Sequence, residues 1–352
     1  MRYSPLIAAS LLSLAPASPA GAADIDVLLV GNSYTSFNDL SDVLAGMLTE
    51  HPAASTSRVL DHSPGGQRLP QHLAEADGTN GDTPLRGWLT DDVDGWDAVL
   101  FQDQSQVPGF YDVDPIYDAS LQAFVALDRL AAAAPGAPVT VLYMTWGRLD
   151  GDPTNATLYP DFAAMQDRLE EGYRRFAAAA DRPVFIAPVG LAFAAVHAAV
   201  LAEGDDPTAD GTCFERLYSG DGSHPSAEGT WLVAATIARS LTGQDPVEPK
   251  KPCGAIWAEA ARVAADGETP VGLLAGGDDD DAADDDDAAD DDAADDDDAA
   301  NDDDAADDDD SGDDDDAGDD DDATDAGCGC STGGGGGLWL LLPGVLLGIR
   351  RR

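Results

Sequence analysis

The segment Ile25-Asp26-Val27-Leu28-Leu29-Val30-Gly31-Asn32-Ser33-Tyr34-Thr35 decides the fold. A short run rich in Val, Ile and Leu is what a strand needs when both of its faces are covered. The run stops at Gly31, which permits a tight turn, and a polar stretch opens with Asn32 and Ser33. A serine at such a strand-to-helix turn can aim its hydroxyl into a crevice, and its own N–H can help to hold an oxyanion. The same serine would also serve as an ordinary helix cap.

Similar apolar runs follow at residues 57–60, 98–101, 139–143 and 184–187. Apolar residues at helical spacing separate them, at 40–48, 116–134, 162–180, 191–201 and 230–241. Strand alternating with helix predicts an α/β domain, with a doubly wound parallel sheet covered on both faces. In such a fold the site lies outside the carboxyl ends of the strands. The residues just past those ends are Ser33, then Gly65 and Gly66, then Gln102 to Ser105, then Thr145 and Trp146.

A second polar cluster, Asp221-Gly222-Ser223-His224-Pro225-Ser226, precedes the last of these helices. Histidine is the side chain suited to take a proton from serine near neutral pH. It needs a carboxylate to fix its tautomer, and Asp221 is near enough along the loop to supply one. Asp221 in a plain turn and His224 on the surface is the alternative. Two further loops offer oxyanion donors. Ser63-Pro64-Gly65-Gly66 can present a backbone N–H, from Gly66 or else Gly65. Gln102-Asp103-Gln104-Ser105 can present a side-chain amide, from Gln102 with Gln104 as the fallback. Ordinary turn chemistry would account for either loop taken alone.

Taken together, these segments resemble the blocks of the SGNH/GDSL hydrolase superfamily. Gly31-Asn32-Ser33-Tyr34-Thr35 is similar to the first block, with Asn32 where GDS proteins have Asp. Asp221 to Pro225 is similar to the last block, D-x-x-H-P, and Ser63 to Gly66 to the glycine block. The resemblance covers about residues 25 to 243. It implies a flavodoxin-like doubly wound sheet of about five strands, the SGNH hydrolase fold. It also implies a serine esterase in which Ser33 attacks, His224 shuttles the proton and Asp221 orients His224. The oxyanion would be held by Ser33, Gly66 and Gln102. The third block departs from the family, whose G-x-N-D supplies an Asn, whereas this chain reads QDQS. No metal and no cofactor is needed by such a mechanism, and the other histidines, His51, His62, His72 and His197, are scattered singly and form no ligand motif.

The substrate expected is an ester, with acetyl groups on carbohydrate in view. Trp146, Phe110 and Tyr111 are candidates to stack on a sugar, or equally to pack in the core. The other class of function is a non-catalytic surface glycan-binding or adhesion module on the same scaffold, favoured by the missing Asn and opposed by the intact Ser33, Asp221 and His224.

Both ends point away from the cytoplasm. Met1-Arg2, a short apolar run and Ala20-Gly21-Ala22 have the form of a signal peptide over 1–22. The hydrolase-type domain is then expected over 23–270. The formal net charge of −50 is concentrated between Asp278 and Asp325, where 31 of the 68 acidic residues stand without a Lys or Arg. Such a stretch has nothing to bury, so 271–327 is expected to be a disordered, extended spacer. It lacks the glycines and turns of dedicated calcium loops. The rest of the chain keeps 37 acidic against 15 basic residues once Arg350, Arg351 and Arg352 are set aside, which repels nucleic acid. Residues 328–352 join Cys328 and Cys330, a short apolar segment and three arginines. They resemble the C-terminal sorting segments of myxobacterial surface proteins, with a plain membrane anchor as the alternative. Cys213 and Cys253 stand apart from that tail and are expected to form a disulfide in an oxidising compartment.

Overall fold

In the computed structural model, β1 (Ala23–Val30) pairs in parallel with β2 (Ala54–His62) on one side and β3 (Ala98–Phe101) on the other. Beyond β3 come β4 (Val139–Tyr143) and β5 (Phe185–Ala187), so the five-stranded order is β2-β1-β3-β4-β5, parallel throughout. The structure describes residues 23–50, 54–81, 83–91, 95–268 and 270–274. The signal peptide, nearly all of the acidic spacer, the C-terminal segment and His51 lie outside the described residues. Among those described, no helix is long and apolar enough to cross a membrane.

The alternation of side chains along β1 divides the core in two. Val27 and Leu29 face one cluster, Leu28 and Val30 the other, and all four are fully buried. The first cluster is closed by α2 (Leu40–Thr49), α7 (Val189–Glu203), α8 (Ala227–Thr242) and α9 (Gly254–Asp266). The second is closed by α3 (Leu69–Ala76), α5 (Pro115–Ala133) and α6 (Phe162–Ala179). Two short helical pieces complete the description, α1 (Ser33–Ser36) and α4 (Pro84–Arg86). The doubly wound reading therefore holds, with helices on both faces. Two differences stand out. β2 runs to His62 rather than stopping at residue 60, and α9 was not expected. Its buried stripe is Trp257 with Ala260, Ala261, Ala264 and Ala265, and alanine carries little hydrophobic signal.

The chain runs from β1 out to β2 and then returns past β1 to β3. The order of winding reverses there, at the carboxyl ends of β1 and β3, which is where a doubly wound sheet places its site. Behind it, α9 is fastened to the loop before α8. Cys213 and Cys253 are joined by a disulfide, and the Trp257 indole N–H donates to the Cys213 carbonyl at 2.9 Å. The bridge closes a loop of 40 residues, which corresponds to about 4 kcal/mol in the loop-entropy account. Replacing both cysteines with alanine is expected to lower the unfolding free energy by that order in urea titrations. The same titrations under reducing conditions should then show no further loss.

Candidate active site

Gly31 leaves β1 by donating its N–H to the His62 carbonyl at 3.0 Å. No side chain fits at this position. A Cβ there would lie 2.4 Å from Gln102 Oε1 and 2.3 Å from Thr35 Oγ1. Asn32 caps α1, its Oδ1 accepting the Tyr34 N–H at 3.2 Å, and Ser33 is the first helical residue. The Asn32 amide also donates to the Gln67 carbonyl at 3.0 Å, which holds the loop of Gly65 and Gly66 against this turn.

Ser33 Oγ lies 2.8 Å from His224 Nε2. His224 Nδ1 lies 2.6 Å from Asp221 Oδ2. An ionised carboxylate only accepts hydrogen bonds, so Nδ1 carries the proton and Nε2 is left bare to receive the serine proton. The other Asp221 oxygen accepts the Ser223 and His224 N–H groups, each at 2.9 Å, and the Ser219 hydroxyl at 2.8 Å. Partial burial opposes ionisation of Asp221, but the bonds from His224, Ser223 and Ser219 outweigh it and hold the carboxyl well below its usual range. Gly222 turns this loop with φ of 65°.

The imidazole is also held by aromatic rings. Phe37 stacks on it at 4.2 Å between centroids, and Tyr34 meets it edge-on at 5.3 Å. The Tyr34 hydroxyl is 2.6 Å from Ser223 Oγ. Asn38 ties the serine loop to the histidine loop, donating to the Pro225 carbonyl at 3.0 Å and to Thr230 Oγ1 at 2.9 Å. Its φ of 55° and that of 56° at Asp39 are left-handed values that non-glycine residues rarely adopt. Sequence reasoning passed over Tyr34, Phe37 and Asn38. Their adjacency to Ser33 was the available signal.

The structure places Gln102 beneath the turn that carries Ser33. It is fully buried, and its Oε1 accepts the Asn32 N–H at 3.0 Å and the Thr35 hydroxyl at 2.9 Å. A backbone N–H can face only the amide oxygen, so the amide orientation is fixed. One hydrogen of its NH2 group goes to the Asp103 carbonyl. Gln102 thus braces the turn that carries Ser33. Gln104 is not aimed at the serine, since its amide engages Gln106, donating to Oε1 at 2.9 Å and accepting the backbone N–H at 3.0 Å.

Trp146 is not a sugar platform either. It is fully buried, stacked between Tyr34 at 4.6 Å and Phe193 at 4.5 Å, and its indole N–H donates to the Ser223 carbonyl at 3.1 Å. It forms the floor under the histidine loop. Phe110 stacks on Tyr159, and Tyr111 lies against Arg168 and Arg175. Two histidines expected to stand alone, His62 and His72, come together with Glu75 behind the glycine loop.

Asp103 bears on pH. Its Oδ1 accepts the Leu69 N–H at 3.1 Å and the Gln104 N–H at 2.8 Å, while Oδ2 and the nearby Ser120 Oγ are buried without a partner among the described residues. Burial pushes its pKa up to about 6, against the nearby Ser120 side chain and the Gln104 and Leu69 N–H groups, which act the other way. The folded state therefore holds this proton where the unfolded chain, near 3.9, has lost it. Stability falls as pH rises through that window, by up to about 3 kcal/mol. Asp103→Asn keeps the shape and supplies a donor for Ser120. Relative to the parent, the variant is expected to gain stability between pH 4.5 and 8, as urea titrations at both values would show.

Serine, histidine and aspartate in hydrogen-bonded sequence at the switch point of a parallel sheet form the constellation that serine hydrolases use. SGNH and GDSL-type hydrolases are among the solved structures that the chain resembles. One, from Slackia heliotrinireducens and assigned to the SGNH hydrolases, is 26% identical over 61% of this chain and 98% of its own, with a TM-score of 0.45. A DUF4886 family protein of Bacteroides uniformis is 19% identical over 69% of this chain and 93% of its own, with a TM-score of 0.50. An acetylxylan esterase of Geobacillus stearothermophilus is 16% identical over 61% and 92%, with a TM-score of 0.38. The Bacteroides likeness bears on the fold alone. No protein-family model and no curated protein matches the chain.

Proposed function

We propose that the chain is an exported serine esterase that cleaves small carboxylic esters, acetyl groups on carbohydrate in particular, through an acyl-enzyme. The observation that carries this reading is the unbroken path from Ser33 Oγ to His224 at 2.8 Å and on to Asp221 at 2.6 Å. Ser33 attacks the ester carbonyl, and His224 takes its proton and returns it to the leaving alcohol. Water then attacks the acyl-enzyme by the same route. With Gln102 bracing the turn, the oxyanion falls to backbone N–H groups. Those of Ser33 and Gly66 have no acceptor among the described residues, and Gly66 lies on the loop that Asn32 holds beside the serine. The disulfide suits a location outside the cytoplasm.

The test is release of acetate from acetylated xylan and from p-nitrophenyl acetate by the purified chain, with p-nitrophenyl palmitate as the long-chain control. Turnover of the acetyl esters well above that of the palmitate supports the reading. Failure on both acetyl substrates would favour the glycan-binding alternative.

A further inference from the structure

We propose that His62, His72 and Glu75 form a binding site for one zinc-class divalent ion, separate from the triad. His62 ends β2, and His72 and Glu75 are three residues apart on α3, so they share the helix face that covers this end of the strand. One ligand atom from each of the three lies within 4.8 Å of the other two. His62 Nε2 is 2.5 Å from Glu75 Oε2, and the His62 and His72 rings meet edge to face at 5.6 Å.

A second observation points to a ligand. His72 is fully buried, and its Nε2 makes no hydrogen bond of good geometry among the described residues, the Gly31 backbone being a polar group near the ring. Its other ring nitrogen meets the Gln67 amide at 3.3 Å. A buried ring nitrogen without a well-formed hydrogen bond is costly, and an adjacent imidazole and carboxylate are what would make a metal ion its partner.

Two imidazoles and one carboxylate select zinc, nickel, copper or cobalt over calcium and magnesium. Ligand atoms at about 2.0–2.2 Å from a tetrahedral ion lie roughly 3.4 Å from each other. Binding therefore opens the His62–Glu75 contact and draws His72 inward, movements that side-chain rotation can supply. The His62 and Glu75 side chains are 14% and 13% exposed, which leaves a path for the ion and a place for water as the fourth ligand. The ion would pin the end of β2 to α3. Gly31 hangs on the His62 carbonyl and Asn32 on that of Gln67, so the turn that presents Ser33 rests on this pin. The ion takes no part in the ester chemistry, and the proposal stands whether or not the chain is an esterase.

The experiment is zinc titration of the purified full chain, stripped with chelator and held in a large excess of magnesium to occupy the acidic stretch. Equilibrium dialysis and melting temperature are read together. One zinc per chain with a raised melting temperature is expected. His62→Gln and Glu75→Gln should each weaken that binding by more than about tenfold, since losing even a second-shell partner costs ten- to hundredfold. Circular dichroism confirms that each variant is folded. Cobalt(II) added to the unsubstituted chain gives an independent reading, an intense visible band from a low-coordinate imidazole site. Zinc isotherms that are the same in the parent and both variants would overturn the proposal, as would a cobalt spectrum showing only the pale octahedral ion.

Discussion

Ser33→Ala is expected to lower kcat for p-nitrophenyl acetate by about 10⁴- to 10⁶-fold. Its hydroxyl is placed to make the covalent bond, with the oxygen 2.8 Å from the base. The residual rate should reflect binding and backbone oxyanion donors alone. Stability should hardly change. Ser33 is half-buried, and its hydroxyl caps nothing, because Asn32 already holds that place. A melting temperature within about 2 °C of the parent is therefore expected. Stopped-flow and steady-state assays on the folded variant give the answer directly. A Ser33→Ala protein that kept even a tenth of the parental rate would mean that another nucleophile does the chemistry.

Gln102→Met should damage stability and catalysis at once. The substitution keeps the volume but removes the oxygen that accepts the Asn32 N–H and the Thr35 hydroxyl, both buried. Leaving two buried donors without a partner costs about 2 to 4 kcal/mol, or roughly 5 to 10 °C in melting temperature for a domain of this size. The turn carrying Ser33 then loosens, and a displacement near 1 Å at a reacting atom costs on the order of 100-fold in rate. An oxyanion donor would behave differently. Its loss lowers kcat by about 10² to 10³ while the melting temperature stays put. Thermal denaturation beside kcat thus separates a bracing residue from a transition-state donor. An unchanged melting temperature would reinstate Gln102 as the donor.

The strands were legible because a strand covered on both faces must be written in Val, Ile and Leu. The segments 98–101 and 139–143 match β3 and β4 residue for residue. The positions of Ser33 and of Gly65 and Gly66 past the strand ends followed from the same reading. The direction of a side chain did not. Gln102 follows β3 in the sequence as an oxyanion amide would, but the empty space at Gly31 lets it turn inward to Asn32. Trp146 was misjudged for a similar reason. An aromatic residue past a strand end resembles a platform until the histidine loop is seen to close over it. The meeting of His62 with His72 was hidden because nothing in the spacing says that α3 folds back over the end of β2.

The serine and its base are separated by 191 positions in the chain. A ribosome releases the amino end first, so Ser33 emerges in every nascent molecule long before His224 exists to activate it. The fastening of α9 by Cys253 comes later still. A chain that stops short of His224 therefore carries Ser33 without the side chain that would take its proton.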